Sequence, residues 1–364
     1  MIAALSLLIW LYLCFAHGKF WQSAPQLPCA LPPEFPDVDI IVPARDEAQT
    51  IGPVIDSLLA QDYGGSFRVI LVDDNSTDGT AAAAGAASSL SVISLQSKPA
   101  YWSGKLWALS QGVAASRAPI LLFTDADIVH DPRHLSSLIA KLLQSRLDMV
   151  SEMVRLNCIS LAERALVPAF VYFFQMLYPF KKVNDPRSQL AAAAGGTVLI
   201  RREALQRIGG IDAIRGALID DVALAKAVKK SGSIFLGHSG LAASIRPYPK
   251  FADIWHMISR TAFTQLRYSA ALLALTLAAL TVVWLAPAAA MLFGQGWEMA
   301  AGFIAFGLAA FSYIPTLARY GRSRLWVLAL PLIALFYMAA TCGSAVNYWR
   351  GQGARWKNRA YGSG

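Results

Sequence analysis

Two acidic clusters, TDAD at Thr124 to Asp127 and IDD at Ile219 to Asp221, are the residues of this chain whose types and spacing can do chemistry. Asp125 and Asp127 follow a short apolar run and are separated by one alanine. Two such carboxylates, together with phosphate oxygens, make the hard, oxygen-rich shell that Mg²⁺ or Mn²⁺ prefers. A cation held there neutralises charge on a departing diphosphate. Asp221 is suited to a different task. A carboxylate at a helix start is kept charged by free backbone N–H groups, and within about 3 Å of a hydroxyl it can take that hydroxyl's proton. Each cluster alone also has a plain structural use, as a solvated strand end or a helix cap. Their order along one chain gives them weight.

The elements that must position these groups read as alternating strands and helices. After the Pro-rich join PPEFPD, VDIIVP is a buried strand, residues 50–61 are helical, FRVILVDD is a second strand and SVISL a third. A helix begins near Gly104, and ILLFTDAD is a further strand with its acidic cluster at the carboxyl end, where open α/β sheets place ligands. The first turn lacks Gly-x-Gly-x-x-Gly, and no Gly-x-x-x-x-Gly-Lys-Ser/Thr loop is present, so ordinary dinucleotide binding and P-loop hydrolysis lose support. Asp73 and Asp74 are candidates for accepting hydrogen bonds from a ribose or a base, with a turn role before Asn75, Ser76 and Gly79 of equal weight.

Composition points to two environments in one chain. Apolar residues make up 55% and charged residues only 15% of 364, and the mean hydropathy is +0.44. Lys and Arg exceed Asp and Glu by 32 to 23, an excess suited to anionic lipid headgroups. Without an Arg-rich recognition helix, zinc finger or aromatic platform, no nucleic-acid partner is expected. Cys14, Cys29, Cys158 and Cys342 are scattered, which excludes a Cys-x-x-Cys zinc site and argues against a disulfide framework.

Residues 269–293, 299–318 and 325–349 carry no charge and are long enough to span a bilayer, with Pro287, Pro315 and Pro331 as candidate kinks. The N-terminal run is apolar through Ala16 and, without a basic start, reads as a retained helix rather than a signal peptide. Arg319, Arg322 and Arg324 favour a cytoplasmic loop. Four spans would then place Arg350, Arg355, Lys357 and Arg359 outside, against the charge rule. Residues 167–183 and 251–268 are mixed apolar and basic; the first suits an interfacial or a core helix, and the second an interfacial segment with Arg260 and Arg267 about two turns apart. The organisation expected is an N-terminal transmembrane helix over 1–18, a cytoplasmic α/β domain over 35–250, the interfacial segment over 251–268, a membrane domain of about three helices over 269–349 and a basic tail over 350–364.

IVPARDE at 41–47, LVDDNSTDGT at 71–80, TDAD, GGTVLIRREAL at 195–205 and IDDVALA at 219–225 together resemble the family 2 inverting glycosyltransferases. The resemblance implies a GT-A nucleotide-binding domain, an α/β fold with a mixed, mainly parallel sheet, joined here to an α-helical membrane domain. It implies that Pro43, Arg45, Glu47 and Asp74 bind the nucleotide, that Lys105 approaches the diphosphate, and that Asp125 and Asp127 hold Mg²⁺ or Mn²⁺. Asp221 matches the base, and Asp220 replaces a more usual glutamate. Arg267 keeps the cation of a Gln/Arg-x-x-Arg-Trp motif, while Thr264 and Tyr268 depart from its flanks, which weighs against chain elongation.

WSGKLWALSQG at 102–112, TDADIVHDP and RTAFTQLRYS resemble in particular the bacterial hopene-associated subfamily. That resemblance implies a multi-pass protein of the bacterial inner membrane that transfers one sugar from a nucleotide-sugar donor to a membrane lipid hydroxyl, in hopanoid or related lipid metabolism. The alternatives are a processive polysaccharide synthase and a noncatalytic protein that keeps the fold to bind nucleotide sugar.

Overall fold

The computed structural model describes residues 1–351, 355–356 and 359–360. Two compact units divide the described chain, one built from residues 25–157, 182–247, 355–356 and 359–360, the other from 1–24, 158–181 and 248–351. The domain expected to run unbroken over 35–250 is therefore interrupted. Residues 158–181 fold with the apolar helices instead.

The first unit is built on an eight-stranded sheet: β1 (Val38–Ala44), β2 (Phe67–Asp73), β3 (Leu90–Ser94), β4 (Ile120–Thr124), β5 (Ile128–His130), β6 (Met149–Arg155), β7 (Thr197–Arg201) and β8 (Ile234–Ser244). Their spatial order is β3-β2-β1-β4-β7-β6-β8-β5. The first four are mutually parallel, β7 is antiparallel to both neighbours, and β5 is antiparallel to β8. All seven residues of β1 and all five of β4 are buried, as expected of near-continuous apolar strands covered on both faces. Helix Gly104–Ala115 covers one face so closely that a Cβ at Gly112 would stand 2.4 Å from Ile41 Cγ2.

Register decides which loops meet. Ala44 pairs with Asp73 and Ile41 with Phe123, so the carboxyl ends of β1, β2 and β4 emerge along one edge. Antiparallel pairing of Thr124 with Thr197 brings the Gly195–Gly196 turn to that same edge.

In the second unit, three helical stretches, Ala270–Phe293, Trp297–Arg319 and Arg324–Trp349, are long and apolar enough to cross a membrane. The N-terminal run forms a shorter helix than expected, Ile2–Phe15, 14 residues or about 21 Å; positive φ at Gly18 and Lys19 follows its end. Ala3, Ser6, Trp10, Leu13 and Cys14 form its buried stripe at helical spacing. Pro287 lacks the N–H that would bond the carbonyl of Val283 four residues earlier, and the helix answers with a π-turn over Thr281–Leu285. That carbonyl accepts from Trp10 Nε1 at 2.8 Å. Trp10→Phe should therefore destabilise the helical unit by about 1–3 kcal/mol, measured as a lower Tm in detergent; an unchanged Tm would show that the bond contributes nothing.

Pro315 sits within a continuous helix, and Pro331 lies in a first turn, where no bond is lost. Helix Leu161–Leu177 holds the core alternative for residues 167–183: Val171 and Tyr172 are fully buried, and Tyr172 Oη lies 2.6 Å from Ser312 Oγ. The segment 251–268 is not one helix. It breaks after Phe251–Ser259 into Ala262–Gln265, and Arg267 and Tyr268 take φ of 51° and 57° beyond it. Of the basic tail, Lys357 lies outside the described residues.

Candidate active site

Lys105, in the first turn of helix Gly104–Ala115, organises the acidic residues. Its Nζ lies 2.8 Å from Asp125 Oδ1 and 3.2 Å from Asp220 Oδ2. Ser103 starts that helix by accepting from Leu106 N, so the lysine is aimed by a capped, packed element. Asp220 and Asp221 begin helix Asp220–Lys229, and Asp221 Oδ1 accepts from Val222 N at 2.7 Å. The capping use and the candidate chemical use thus coexist in one residue. A Cβ at Gly195 would stand 3.3 Å from Lys105 Nζ and 3.4 Å from Asp221 Oδ2, so this bare turn lies directly against both groups. A small, half-open cavity is lined by Pro43, Lys105, Asp125, Gly195, Asp220 and Asp221 among others.

The electrostatics follow from this crowding. Burial pushes the Asp221 carboxyl up to about 7, the charge of Asp220 adds to the rise, and Lys105 opposes it. Asp125 is likewise raised by burial, with Lys105 pulling down and Asp127 pushing up. Burial works against the charge on Lys105, yet Asp125 and Asp220 hold its pKa well above the ordinary value.

Asp127 has a partner that sequence reading missed. Arg246 Nε lies 2.8 Å from Asp127 Oδ2, and its Nη2 lies 2.5 Å from Glu47 Oε1, so one guanidinium joins a residue expected at the metal to one expected at the nucleotide. Ser244 Oγ adds a 3.2 Å bond to Asp127. No local motif marks Arg246, which follows β8 and arrives through the pairing of Ile128 with Ser244.

The remaining nucleotide-side candidates gather at the ends of β1 and β2. Arg45 Nη1 donates to the Asp74 carbonyl and lies 3.6 Å from Asp74 Oδ2. Asp46 N donates to Ser76 Oγ, Thr77 N to Asp46 Oδ1 and Ala48 N to Asp78 Oδ2, each at 2.9 Å. Asp73 takes the turn role, accepting from Ser76 N at 3.2 Å. The structure brings Pro43, Arg45, Glu47, Asp74, Lys105, Asp125, Asp127, Asp220 and Asp221 into one unit. Arg267 lies in the other.

A divalent cation suits the donor set at Asp125 and Asp127. No group of three or more His, Cys, Asp and Glu residues among the described residues is arranged to hold a metal ion by itself, but Mg²⁺ is commonly held by one or two carboxylates, with waters and phosphate oxygens completing its shell. Asp125 and Asp127 now neutralise Lys105 and Arg246.

Residues 39–209 match the family Glycosyl transferase family 2. A dodecaprenyl-phosphate galacturonate synthase of Rhizobium johnstonii is 28% identical over 123 residues, 31% of this chain and 35% of that protein. A glucosyl-3-phosphoglycerate synthase of Mycolicibacterium paratuberculosis is 38% identical over 95 residues, 26% of this chain and 29% of that protein. The chain thus matches about a third of the length of these relatives. A mannosyltransferase from Pyrobaculum calidifontis, solved in complex with GDP-Man and Mn²⁺, aligns over 94% of this chain and 99% of its own with a TM-score of 0.56 at 19% identity. The shared feature is the fold, a GT-A-like α/β domain with a mixed, mainly parallel sheet.

Proposed function

We propose that this chain, which carries a family 2 glycosyltransferase domain, transfers one sugar from a nucleotide-sugar donor to a hydroxyl of a membrane lipid, with inversion at the anomeric carbon. The observation that carries the reading is the convergence on Lys105: it pairs with Asp125 and Asp220, while Asp221 faces the same glycine turn. A diphosphate-side group and a candidate base therefore share one cavity.

In the reaction, Asp221 takes the proton of the acceptor hydroxyl as that oxygen forms its bond to the anomeric carbon. The bond from that carbon to the diphosphate breaks on the opposite face, and the nucleoside diphosphate leaves with the electron pair. Asp220 keeps Lys105 oriented. Lys105 and Arg246 supply positive charge where the leaving group gains negative charge. Asp125 and Asp127 would hold Mg²⁺ or Mn²⁺, which when bound neutralises the diphosphate. Arg45, Glu47 and Asp74 lie where the nucleotide of an open α/β sheet is expected, and Pro43 lines the cavity beside them. For Arg267 the support is motif resemblance alone.

A lipid acceptor is supported by the three long apolar helices and by a relative named for dodecaprenyl phosphate. The hopanoid assignment rests on the WSGKLWALSQG, TDADIVHDP and RTAFTQLRYS motifs. The Arg319, Arg322 and Arg324 cluster supports a bacterial inner-membrane protein with the α/β domain cytoplasmic.

The test is mass spectrometry of products made by detergent-purified protein from a panel of nucleotide sugars and bacterial lipid extract, with Mg²⁺ or Mn²⁺ present. The expected product is one lipid heavier by one sugar residue, lost on chelation and restored by the metal. A ladder of masses would instead identify a processive synthase. Donor binding without any product would identify a noncatalytic binder.

A further inference from the structure

A buried chain of polar side chains runs from the middle of the sheet to the acidic site. Glu152 on β6 and His134, which begins helix His134–Gln144, are both fully buried, with Glu152 Oε2 2.5 Å from His134 Nε2. His134 Nδ1 lies 2.7 Å from His130 Nδ1, the rings stacking at 5.0 Å. His130 Nε2 lies 3.0 Å from Thr124 Oγ1, and Thr124 Oγ1 donates to the Gly196 carbonyl at 2.9 Å. Asp125 N donates to that same carbonyl at 3.4 Å.

Counting protons gives the chain a direction. Thr124 has one hydroxyl proton and gives it to Gly196, so His130 Nε2 must donate to Thr124. Burial, with His134 beside it, keeps the pKa of His130 well below the ordinary histidine value. Its Nδ1 is then an acceptor, and His134 Nδ1 must donate to it. Glu152 completes the chain either as a carboxylate facing a doubly protonated His134 or as a carboxyl donating to a neutral one. Every bond after that points toward Gly196 in both cases.

Stability alone does not account for this arrangement. Apolar residues of similar volume are often as stabilising as a buried ionic or polar group, and Glu152 Oε1 has no hydrogen-bond partner among the described residues, which is costly for a buried polar atom. Local rules are commonly broken in this way at functional sites. What the chain holds is the Gly195–Gly196 turn, on whose bare backbone Lys105 and Asp221 converge.

We propose that Glu152, His134 and His130 are positioning residues that act through Thr124 to lock the Gly195–Gly196 turn onto the end of β4, fixing Asp125 relative to Asp221. The inference rests on the proposed sugar transfer only for the use made of that geometry. It is tested with Glu152→Leu, which ends the chain, and Glu152→Gln, which continues it whichever way the first bond points.

In Glu152→Leu, amide exchange over 124–127 and 194–197 should speed up about tenfold. At a temperature where the variant is folded, kcat should fall up to about 10²-fold with the donor KM nearly unchanged, because a small misplacement of reacting groups is costly. Glu152→Gln should recover most of both. If Glu152→Leu fails to fold, Thr124→Val against Thr124→Ser asks the same question at the other end of the chain. Wild-type exchange and kcat in the broken variants would overturn the proposal, as would an equal loss in Glu152→Gln. Faster exchange at both segments in a protein whose wild type glycosylates no lipid would sink the transfer reading and leave the positioning role standing.

Discussion

Replacing Asp221 with asparagine should lower sugar transfer by roughly 10²–10⁴-fold while leaving donor binding in place, since a positioned general base contributes about that much. The side chain keeps its size and can still accept from Val222 N, as Asp221 Oδ1 does at 2.7 Å; what it loses is the ability to take a proton. Wild-type kcat/KM, which reports the free enzyme, should rise with pH through about 7 and level off above it, because burial and Asp220 push the Asp221 carboxyl to about 7 and only its ionised form is a base. Asp221→Asn should show no such step.

A second consequence has the opposite sense. A folded-state pKa above the unfolded value contributes stability that is fully present below the ordinary carboxylate range and is lost as pH rises through about 7. Asp221→Asn should therefore flatten the fall in Tm between about pH 4 and 8. Wild-type turnover in this variant would remove Asp221 from the chemistry.

Lys105→Met should cost about 10²–10³-fold in kcat, the range for removing one charge-stabilising donor from a reacting site. It leaves Asp125 and Asp220 without the cation 2.8 Å and 3.2 Å away. Asp221 also loses a group that favours its charged form. The pH–rate profile should therefore move to higher pH, and raising the pH should recover part of the loss. A structural role for the lysine would lower activity without moving the profile. The same variant should weaken the binding of the nucleoside diphosphate product.

Much of the fold was legible because the responsible forces act over a few residues. The apolar runs from Val38, Phe67 and Ile120 announced strands, the first a buried one, and each is a strand, with the first wholly buried. The uncharged stretches near the C-terminus announced helices of crossing length and are three such helices. The acidic clusters announced themselves through residue type and order. Asp125 and Asp220 meet on Lys105, with Asp221 beside them.

Other features depend on which distant segments become neighbours. Residues 158–181 were read as part of the α/β domain but fold with the apolar helices, where Tyr172 meets Ser312 and Glu163 caps its helix while accepting from Tyr248 N at 2.7 Å. The His-x-x-x-His spacing of His130 and His134 is an ordinary helical interval; only β6 beside it supplies Glu152. Arg246 reaches Asp127 because β5 pairs with β8 across more than a hundred residues of chain. The sequence by itself determined which segments are strands, which helices are apolar and where carboxylates stand at element ends, since period, hydrophobicity and side-chain chemistry are local properties. Only the tertiary structure decided which cation faces which carboxylate and which glycine turn lies against them, because strand register is a cooperative property of the whole sheet.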